Sequence, residues 1–333
     1  MVATVVIGGF FGDEGKGKII SYLALKDKPT IVVRGGAGPN AGHTIKDGKQ
    51  TYKVRMLSSG FLNKEVRIMI GPGVVVNPDV LLKEITDFDV KSRAFLDNNC
   101  GIIEESHREA DSKGQLKDKI GSTGSGTGPA NAERAMRTLK LAKEIDVLQQ
   151  YLIDVPFEVN SALDRGENVL IEGTQGTHLS LWHGTYPFVT TKDVTASGIC
   201  ADVGIGPKRV DEVIVVFKSY LTRVGTGPMP GELDADETSK KGWEEFGTVT
   251  GRLRRAAEFD FDLAKRAIML SSATQVSITK LDVRFPKCAG VTSYNDLDED
   301  AKAFIKNIEE KLGVRVTLIG TGPSVNDVID LRS

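Results

Sequence analysis

The sequence predicts an α/β fold with a mostly parallel central sheet flanked by helices, because short β-branched segments alternate along the chain with amphipathic helical segments. Glycine-rich loops directly follow several strand segments, and the carboxyl ends of parallel strands are where open sheets bind ligands. With 333 residues and no repeat or low-complexity linker, the chain is predicted to form one domain over residues 1–333 with long functional loops.

Seven apolar segments have the length and composition of buried parallel strands. They cover residues 4–7, 30–33, 66–70, 168–171, 213–217, 275–278 and 314–319. Five segments with apolar residues at helical spacing cover residues 16–26, 79–88, 133–151, 262–271 and 298–312. Helical crossovers between parallel strands place helices on both faces of the sheet.

The composition is that of an ordinary folded protein, with 40% apolar and 26% charged residues. A net charge of −2 gives no strong field that would indicate nucleic-acid or membrane binding. Three widely spaced cysteines, Cys100, Cys200 and Cys288, argue against a disulfide framework or a structural zinc site and fit a cytoplasmic protein. The short apolar start lacks a basic leader and is interpreted as the first strand, and no apolar run reaches membrane-spanning length.

The first glycine-rich loop reads GDEGKGKI over residues 12–19 and nearly matches the phosphate-binding pattern G-x-x-x-x-G-K-[S/T]. Its backbone amides can cradle phosphates at a helix N-terminus, with Lys16 or Lys18 adding positive charge. Ile19 replaces the hydroxyl residue that normally holds Mg²⁺, so Asp13 is the nearby candidate metal ligand. A glycine-rich turn with solvated lysines is the less favoured alternative. The loop predicts a sheet like that of the P-loop NTPases.

Three further loops carry groups suited to anions or to acid–base chemistry. His43 lies in a polar, glycine-rich stretch over residues 34–44, as either an acid–base residue or an ordinary surface histidine. Residues 121–129, GSTGSGTGP, precede a helical segment with two arginines and suit an anion, although a flexible linker is the alternative. The arginine cluster GRLRR over residues 251–255 suits a carboxylate or phosphate, or else forms a solvated face.

The segment TKLD over residues 279–282 follows a predicted strand and indicates the identity of the nucleotide base. The Asp282 carboxylate can accept two hydrogen bonds from guanine, a pair of donors that adenine lacks, while Lys280 can pack over the base. Four residues are a weak signal alone, but together with a phosphate loop they favour GTP.

These stretches, in this order, resemble the adenylosuccinate synthetase family over nearly the whole chain. The similar segments are GDEGKGK at residues 12–18, NAGHT at 40–44, EGTQG at 172–176, HGTYPFVT at 183–190, TRVGTGP at 222–228 and TKLD at 279–282. The chain is shorter than the common form of the family. It also departs from the family pattern at Val249, at Ala257-Glu258 in place of Gly-Trp, at TKD over residues 191–193 in place of Ser-Ser-Asn, and in the final loop at residues 320–324.

The resemblance implies a role for each matching residue. Asp13 would be the general base and His43 the general acid. IMP would be held by Asp13, Lys16, Asn40, Thr123, Arg137, Gln175, Thr190 and Arg252, and aspartate by Thr248, Val249, Thr250, Gly251, Arg252 and Arg254. GTP would contact Gly12, Glu14, Gly15, Lys16, Gly17, Lys18, Gly42, His43, Thr44, Arg254, Lys280, Leu281, Asp282, Gly320, Thr321 and Gly322. Asp13 and the Gly42 carbonyl would bind Mg²⁺, and Arg137 would reach IMP in a neighbouring subunit, which implies a homodimer.

The expected reaction is the GTP-dependent ligation of IMP and L-aspartate through 6-phosphoryl-IMP. A GTP-binding switch protein is the rival from another class, but it leaves His43, Gln175 and the arginine cluster unexplained. A different nucleotide-dependent ligase is the second rival, which substrate screening would separate.

Overall fold

The computed structural model describes residues 2–113, 120–246, 251 and 253–332. Its strands are β1 Ala3–Gly8, β2 Ile31–Arg34, β3 His43–Asp47, β4 Gln50–Val54, β5 Arg67–Ile70, β6 Val75–Val76, β7 Ala94–Asp97, β8 Gly101–Ile102, β9 Leu152–Ile153, β10 Val169–Glu172, β11 Glu212–Lys218, β12 Leu221–Arg223, β13 Arg255–Ala257, β14 Gln275–Thr279, β15 Val316–Gly320 and β16 Val328–Asp330. Its α-helices are α1 Lys16–Asp27, α2 Pro78–Asp87, α3 Glu105–Asp111, α4 Thr127–Met136, α5 Val155–Asp164, α6 Ala196–Val203, α7 Ala235–Lys240, α8 Phe261–Ser271, α9 Leu281–Arg284 and α10 Glu299–Leu312. None of the helices in these segments is both long enough and apolar enough to span a membrane.

A ten-stranded sheet runs in the order β16-β15-β14-β11-β1-β10-β2-β5-β7-β9. Every neighbouring pair is parallel except β15 and β16, which are antiparallel. All seven predicted strands lie in this sheet, so the predicted mostly parallel sheet is confirmed. β1 lies in the middle, between β10 and β11, and this position puts its carboxyl end at the centre of the ligand-binding edge.

Helices pack on both faces of the sheet, as predicted. Along β1, Val5 and Ile7 face a core that includes residues of α5, α6, α8 and α10. Val6, on the opposite face of the same strand, packs in a second core with residues of α1 and α2. Because successive strand residues point to opposite faces, an uninterrupted apolar strand requires such cover on both sides.

The prediction of one helix over residues 133–151 is wrong. α4 begins earlier and ends at Met136, where Arg137 takes a left-handed conformation with φ of 66°. The following backbone bonds to the β8 region instead, with Ile102 N donating to Lys140 O at 2.9 Å and Ala142 N donating to Cys100 O at 2.8 Å. Two 3₁₀ turns, Ala142–Glu144 and Asp146–Tyr151, then place apolar residues at a spacing that imitates an α-helix.

Charged residues are buried inside the sheet, under its carboxyl edge. Arg34 and Glu172 are Cα partners on β2 and β10, and both are fully buried. The Glu172 carboxylate accepts hydrogen bonds from Ser59 N at 2.6 Å and Ser59 Oγ at 2.8 Å, and it lies 2.6 Å from His43 Nδ1. Burial raises the pKa of Glu172, but His43 and Arg34 outweigh it and leave that pKa below its usual value. Glu172 is therefore ionised and joins three segments of the chain.

Replacing Glu172 by Gln should lower the free energy of unfolding by about 3–5 kcal/mol, because the charge that faces buried Arg34 and His43 is removed while the side-chain shape is kept. Glu158→Gln is the matched control. Glu158 pairs with Arg67 at 2.7 Å but is 30% exposed, so its loss should cost less than about 1 kcal/mol. Urea unfolding of both variants measures the difference, and equal losses would contradict a structural role for the Glu172 charge.

Candidate active site

A cavity of about 400 Å³ opens at the carboxyl edge of the sheet. It is lined by the loops that follow β1, β2 and β10 and by residues of segments 120–128, 186–191 and 223–227. Ten residues predicted to contact ligands line it: Gly12, Asp13, Lys16, Asn40, Gly42, His43, Thr123, Gln175, Thr190 and Arg254. The structure therefore brings together groups from six separate segments of the sequence.

The loop after β1 arranges its amides around a negatively charged group. The buried Glu14 carboxylate accepts from Phe10 N at 3.0 Å, from Gly12 N at 2.7 Å and from Lys16 Nζ at 2.8 Å. A Cβ atom at Gly8 would lie 2.4 Å from that carboxylate, so only glycine allows this close approach. Converging amides and an ammonium are what a phosphate oxygen requires.

The ring of His43 is held from its buried side. Nδ1 lies 2.6 Å from Glu172 Oε1 and 2.9 Å from Ser59 Oγ, which leaves Nε2 as the ring nitrogen that can meet a substrate in the cavity. A Cβ atom at Gly17 would lie 2.6 Å from the Cβ of His43, so glycine in α1 lets the histidine pack there. Burial lowers the pKa of His43 below its usual value, although the adjacent Glu172 carboxylate opposes this shift.

Asp13 lines the cavity and forms an ion pair with Arg254, which also lines it. The Arg254 guanidinium also lies 2.7 Å from a carboxylate oxygen of Glu245. The same Glu245 oxygen accepts from Lys218 Nζ at 2.9 Å, and burial lowers the pKa of Arg254 to about 10. Glu245 thus fixes Arg254, the last residue of the segment that the sequence assigns to aspartate binding.

The described residues contain no cluster of three or more His, Cys, Asp or Glu side chains that could hold a metal by themselves. Mg²⁺ needs no such cluster, since it keeps several waters and is usually bound by one or two carboxylates and by substrate phosphates. Asp13 and Gly42 both line the cavity beside the phosphate loop, and a carboxylate and a carbonyl supply the oxygen ligands that Mg²⁺ prefers. The residues present therefore fit this ion.

Two amide side chains in the cavity wall have polar atoms left over. Asn40 Nδ2 donates weakly to Thr190 Oγ1 at 3.3 Å, while Asn40 Oδ1 is buried with no hydrogen-bond partner among the described residues. Gln175 Nε2 is likewise buried and has no hydrogen-bond partner among the described residues. Because buried polar groups are nearly always hydrogen-bonded, these atoms indicate a polar ligand.

The predicted base-reading residues lie outside the lining of this cavity, at the ends of β14 and β15. Asp282 Oδ1 is buried without a hydrogen-bond partner in the part of the chain that the structure describes. Thr279 Oγ1 donates to Glu14 O at 2.6 Å, which ties the base-reading strand to the phosphate loop. Lys18 Nζ donates to Gly322 O at 2.6 Å, and burial lowers the pKa of Lys18 to about 8.

Backbone strain marks the same places. Seven non-glycine residues among those described have positive φ, and four of them, Lys28, Asp89, Arg137 and Ser272, lie at the ends of α-helices. The other three are Asp13, Gln175 and Lys280, which follow the carboxyl ends of β1, β10 and β14. Strained non-glycine residues cluster at functional sites, so this distribution supports the location of the site.

Some predicted residues are not brought to the cavity. Arg137 is exposed beyond the end of α4, Thr44 and Gly251 are exposed, and Leu281 and Thr321 are buried. The Thr321 hydroxyl donates to Val291 O at 2.6 Å. Thr248, Val249, Thr250 and Arg252 lie outside the described residues.

Sequence reasoning gave no role to Arg223, which lines the cavity. Its guanidinium lies 4.4 Å from the ring centre of Phe11 and donates to Thr185 Oγ1 and to Phe188 O, each at 2.9 Å. It therefore joins the loop after β1 to the wall at residues 185–188. The only available signal was its place in the family-like segment at 222–228.

A family model described as adenylosuccinate synthetase matches residues 5–145 and 139–287. Adenylosuccinate synthetase from Methanocaldococcus jannaschii is 57% identical over 337 residues, which cover 100% of this chain and 98% of the relative. The enzyme of the same name from Methanococcus aeolicus is 56% identical, with 100% of both chains covered.

Solved structures agree. A fully ligated adenylosuccinate synthetase from Plasmodium falciparum superposes with a TM-score of 0.90 at 27% identity, and the match covers 99% of each chain. A cyanophage S-2L succinoaminodeoxyadenylate synthetase bound to dGMP and dATP as an energy donor gives 0.83 at 26% identity, covering 100% of this chain and 96% of that one. The chain therefore belongs to the adenylosuccinate synthetase family.

Proposed function

We propose that this chain is a cytoplasmic ligase that joins IMP and L-aspartate into adenylosuccinate at the expense of GTP, releasing GDP and phosphate. The observation that carries the proposal is one cavity in which Asp13, His43 and the unsatisfied amides of Asn40 and Gln175 stand beside the amides and Lys16 of a phosphate loop. We treat residues 1–333 as one domain, since its central sheet uses strands from Ala3–Gly8 to Val328–Asp330.

The residues divide the chemistry at C6 of IMP between them. Asp13 takes the N1 proton, which pushes negative charge onto O6. His43 acts in its imidazolium form, with Nδ1–H donating to the Glu172 carboxylate and Nε2–H donating to O6, so that the developing charge on O6 and the charge on Glu172 together stabilise the second proton on the ring. O6 then attacks the γ-phosphate of GTP, whose oxygens are stabilised by the loop amides and by Lys16. The bond from the γ-phosphorus to the bridging oxygen breaks, GDP leaves, and 6-phosphoryl-IMP forms. The aspartate amine displaces phosphate from C6 and loses a proton.

The ion pairs of Arg254 bear on how this step begins. Because Arg254 is paired with Asp13 in this structure, it has to leave that carboxylate before Asp13 acts as a base. Arg254 remains paired with Glu245 after it leaves Asp13. The part of its guanidinium that faced Asp13 can then bind the aspartate carboxylate or a phosphate. Asp13 and the Gly42 carbonyl would hold Mg²⁺, which would supply further positive charge to the phosphates.

The phage relative raises a second substrate set, since its structure holds dGMP and dATP. Asp282 favours GTP over an adenine nucleotide here, because a carboxylate accepts from guanine N1–H and N2–H but has no such pair of donors in adenine. A GTP-binding switch protein is a poorer candidate, since its function requires neither His43 nor the unsatisfied amide groups of Asn40 and Gln175.

Ultraviolet detection of adenylosuccinate tests the proposal directly. We expect product in a mixture of IMP, aspartate, GTP and Mg²⁺, and none when any one of these is omitted. Replacing IMP by dGMP, or GTP by dATP, should greatly reduce turnover. GTP hydrolysis that ignores IMP and aspartate would instead indicate a switch protein, and a preference for dGMP would indicate the phage-type reaction.

Asp13→Asn and His43→Asn should each lower kcat at least roughly 10²-fold, because each removes a proton-transfer or charge-stabilising group. For His43→Asn the fall in kcat should exceed the rise in KM for IMP, since charge on O6 develops mainly in the transition state. The double variant should lose less than the product of the two, because both groups serve one step. Steady-state kinetics on the folded single and double variants measure these changes in kcat and KM. A near-normal kcat in His43→Asn would show that His43 has no part in the mechanism.

We further propose a homodimer in which Arg137 completes the neighbouring active site. Its exposed position outside the cavity lining supports this, because it does not contribute to the cavity of its own chain as placed. Mixing inactive Arg137→Leu chains with inactive Asp13→Ala chains should restore activity, since one site of each mixed dimer has both residues. Subunit exchange without any recovery of activity would contradict a shared site.

A further inference from the structure

Two lysines on the first turn of α1 point to different partners. Lys16 and Lys18 are both buried, yet only Lys16 lines the cavity and contacts the Glu14 carboxylate of the phosphate loop. Lys18 Nζ instead donates to two main-chain carbonyls, Gly322 O at 2.6 Å and Asp327 O at 2.7 Å. The two neighbouring ammonium groups therefore hold different parts of the nucleotide site.

The segment that Lys18 holds is a loop over residues 320–327, which follows β15. This loop also closes on itself, with Thr321 N donating to Asp327 O at 2.9 Å and Ser324 N donating to Asp327 Oδ2 at 2.8 Å. Because Lys18 bonds the main-chain oxygens of Gly322, near the start of the loop, and of Asp327, its last residue, it fixes the path of the backbone and not merely one side chain.

The loop stands beside the residues predicted to read guanine. β14 and β15 are parallel neighbours, so the loop after β15 and Thr279–Asp282 after β14 share one edge. A Cβ atom at Gly320 would lie 3.2 Å from Lys18 Nζ and 3.4 Å from the Cα of Thr279, which shows how closely the three segments meet. The unsatisfied Oδ1 of Asp282 lies in the same region, and both Asp282 and Asp327 attract the Lys18 ammonium.

We propose that Lys18 is a positioning residue for the guanine base: its ammonium fixes the 320–327 loop as the wall of the base pocket next to Asp282, and it does not contact the phosphates. A buried ammonium requires hydrogen-bond acceptors, and these two carbonyls would lose their partner if Lys18 turned towards a phosphate. The proposal rests on the GTP-dependent function proposed above and narrows it to how the base is recognised.

The test separates base binding from phosphate binding by using guanosine and GTP as two probes. Isothermal titration is done on the full chain with IMP at saturating concentration, so that neither probe enters the IMP pocket. Lys18→Met should weaken the binding of guanosine and the binding of GTP by the same factor, about tenfold or more, because both ligands use the disturbed base pocket. Lys16→Met is the matched control, two residues away on the same helix, and should weaken GTP while leaving guanosine binding unchanged.

A second readout is the selectivity for the base. The preference for guanosine over inosine, which lacks the N2 amine that Asp282 can bind, should shrink in Lys18→Met and persist in Lys16→Met. General loosening of the fold would not change that ratio selectively, and a thermal melt checks the fold of each variant. If Lys18→Met does not fold, Lys18→Gln, which loses the charge but keeps an amide donor, carries the same measurements.

Two results would overturn the proposal. A Lys18 variant that binds GTP poorly but guanosine normally would indicate that Lys18 is a phosphate ligand. A variant that binds both normally would show that the 320–327 loop keeps its conformation without Lys18. Neither measurement needs turnover, so a failure of ligase activity is distinguishable from a failure of this inference. A wild-type chain that binds adenosine as tightly as guanosine would contradict the guanine pocket and the proposal with it.

Discussion

The ionised Glu172 carboxylate inside the sheet is the constraint on which the site depends. Burying a charge is costly unless it is paired and hydrogen-bonded, so the groups around Glu172 are not free to move independently. They come from three places: Arg34 on β2, Ser59 in the connection after β4, and His43 at the start of β3. The orientation of the His43 ring is therefore set by the stability of the sheet itself.

Two other carboxylates work in the same way on their own segments. The Glu14 carboxylate accepts hydrogen bonds from amides and from Lys16 of the phosphate loop. The Glu245 carboxylate pairs with Arg254 and Lys218. Each carboxylate holds a cation that the chemistry requires near the substrates. Groups fixed in this way need little reorganisation when charge develops on O6 or on the phosphates, which is the main source of electrostatic catalysis.

The sequence predicted the central strands because strands covered on both faces are continuous β-branched segments, as in residues 213–217. It missed three strands of the sheet: β7, which has four residues, β9, which has two, and β16, whose pairing with β15 leaves no local signal. The glycine-rich loops were also visible in the sequence. The structure shows why glycine is needed there, because a Cβ atom at Gly8 or at Gly17 would clash with Glu14 or His43. The anchoring carboxylates could not be predicted, because their roles depend on partners distant in the chain.

Two of the departures of this chain from its family pattern, at Lys192 and at Glu258, form ion pairs with other segments. Lys192 donates to Gly73 O at 2.6 Å and pairs with Asp202, which in turn accepts from Gly36 N at 2.8 Å in the loop that carries Asn40. Glu258, in place of an aromatic residue, pairs with Arg284 at 2.7 Å and with Lys241 at 2.9 Å. In both places the departing residue joins separate segments of the chain through an ion pair, and the pair at Lys192 reaches the loop that carries Asn40 through Asp202. The residues that differ from the family pattern therefore have structural roles of their own in this chain.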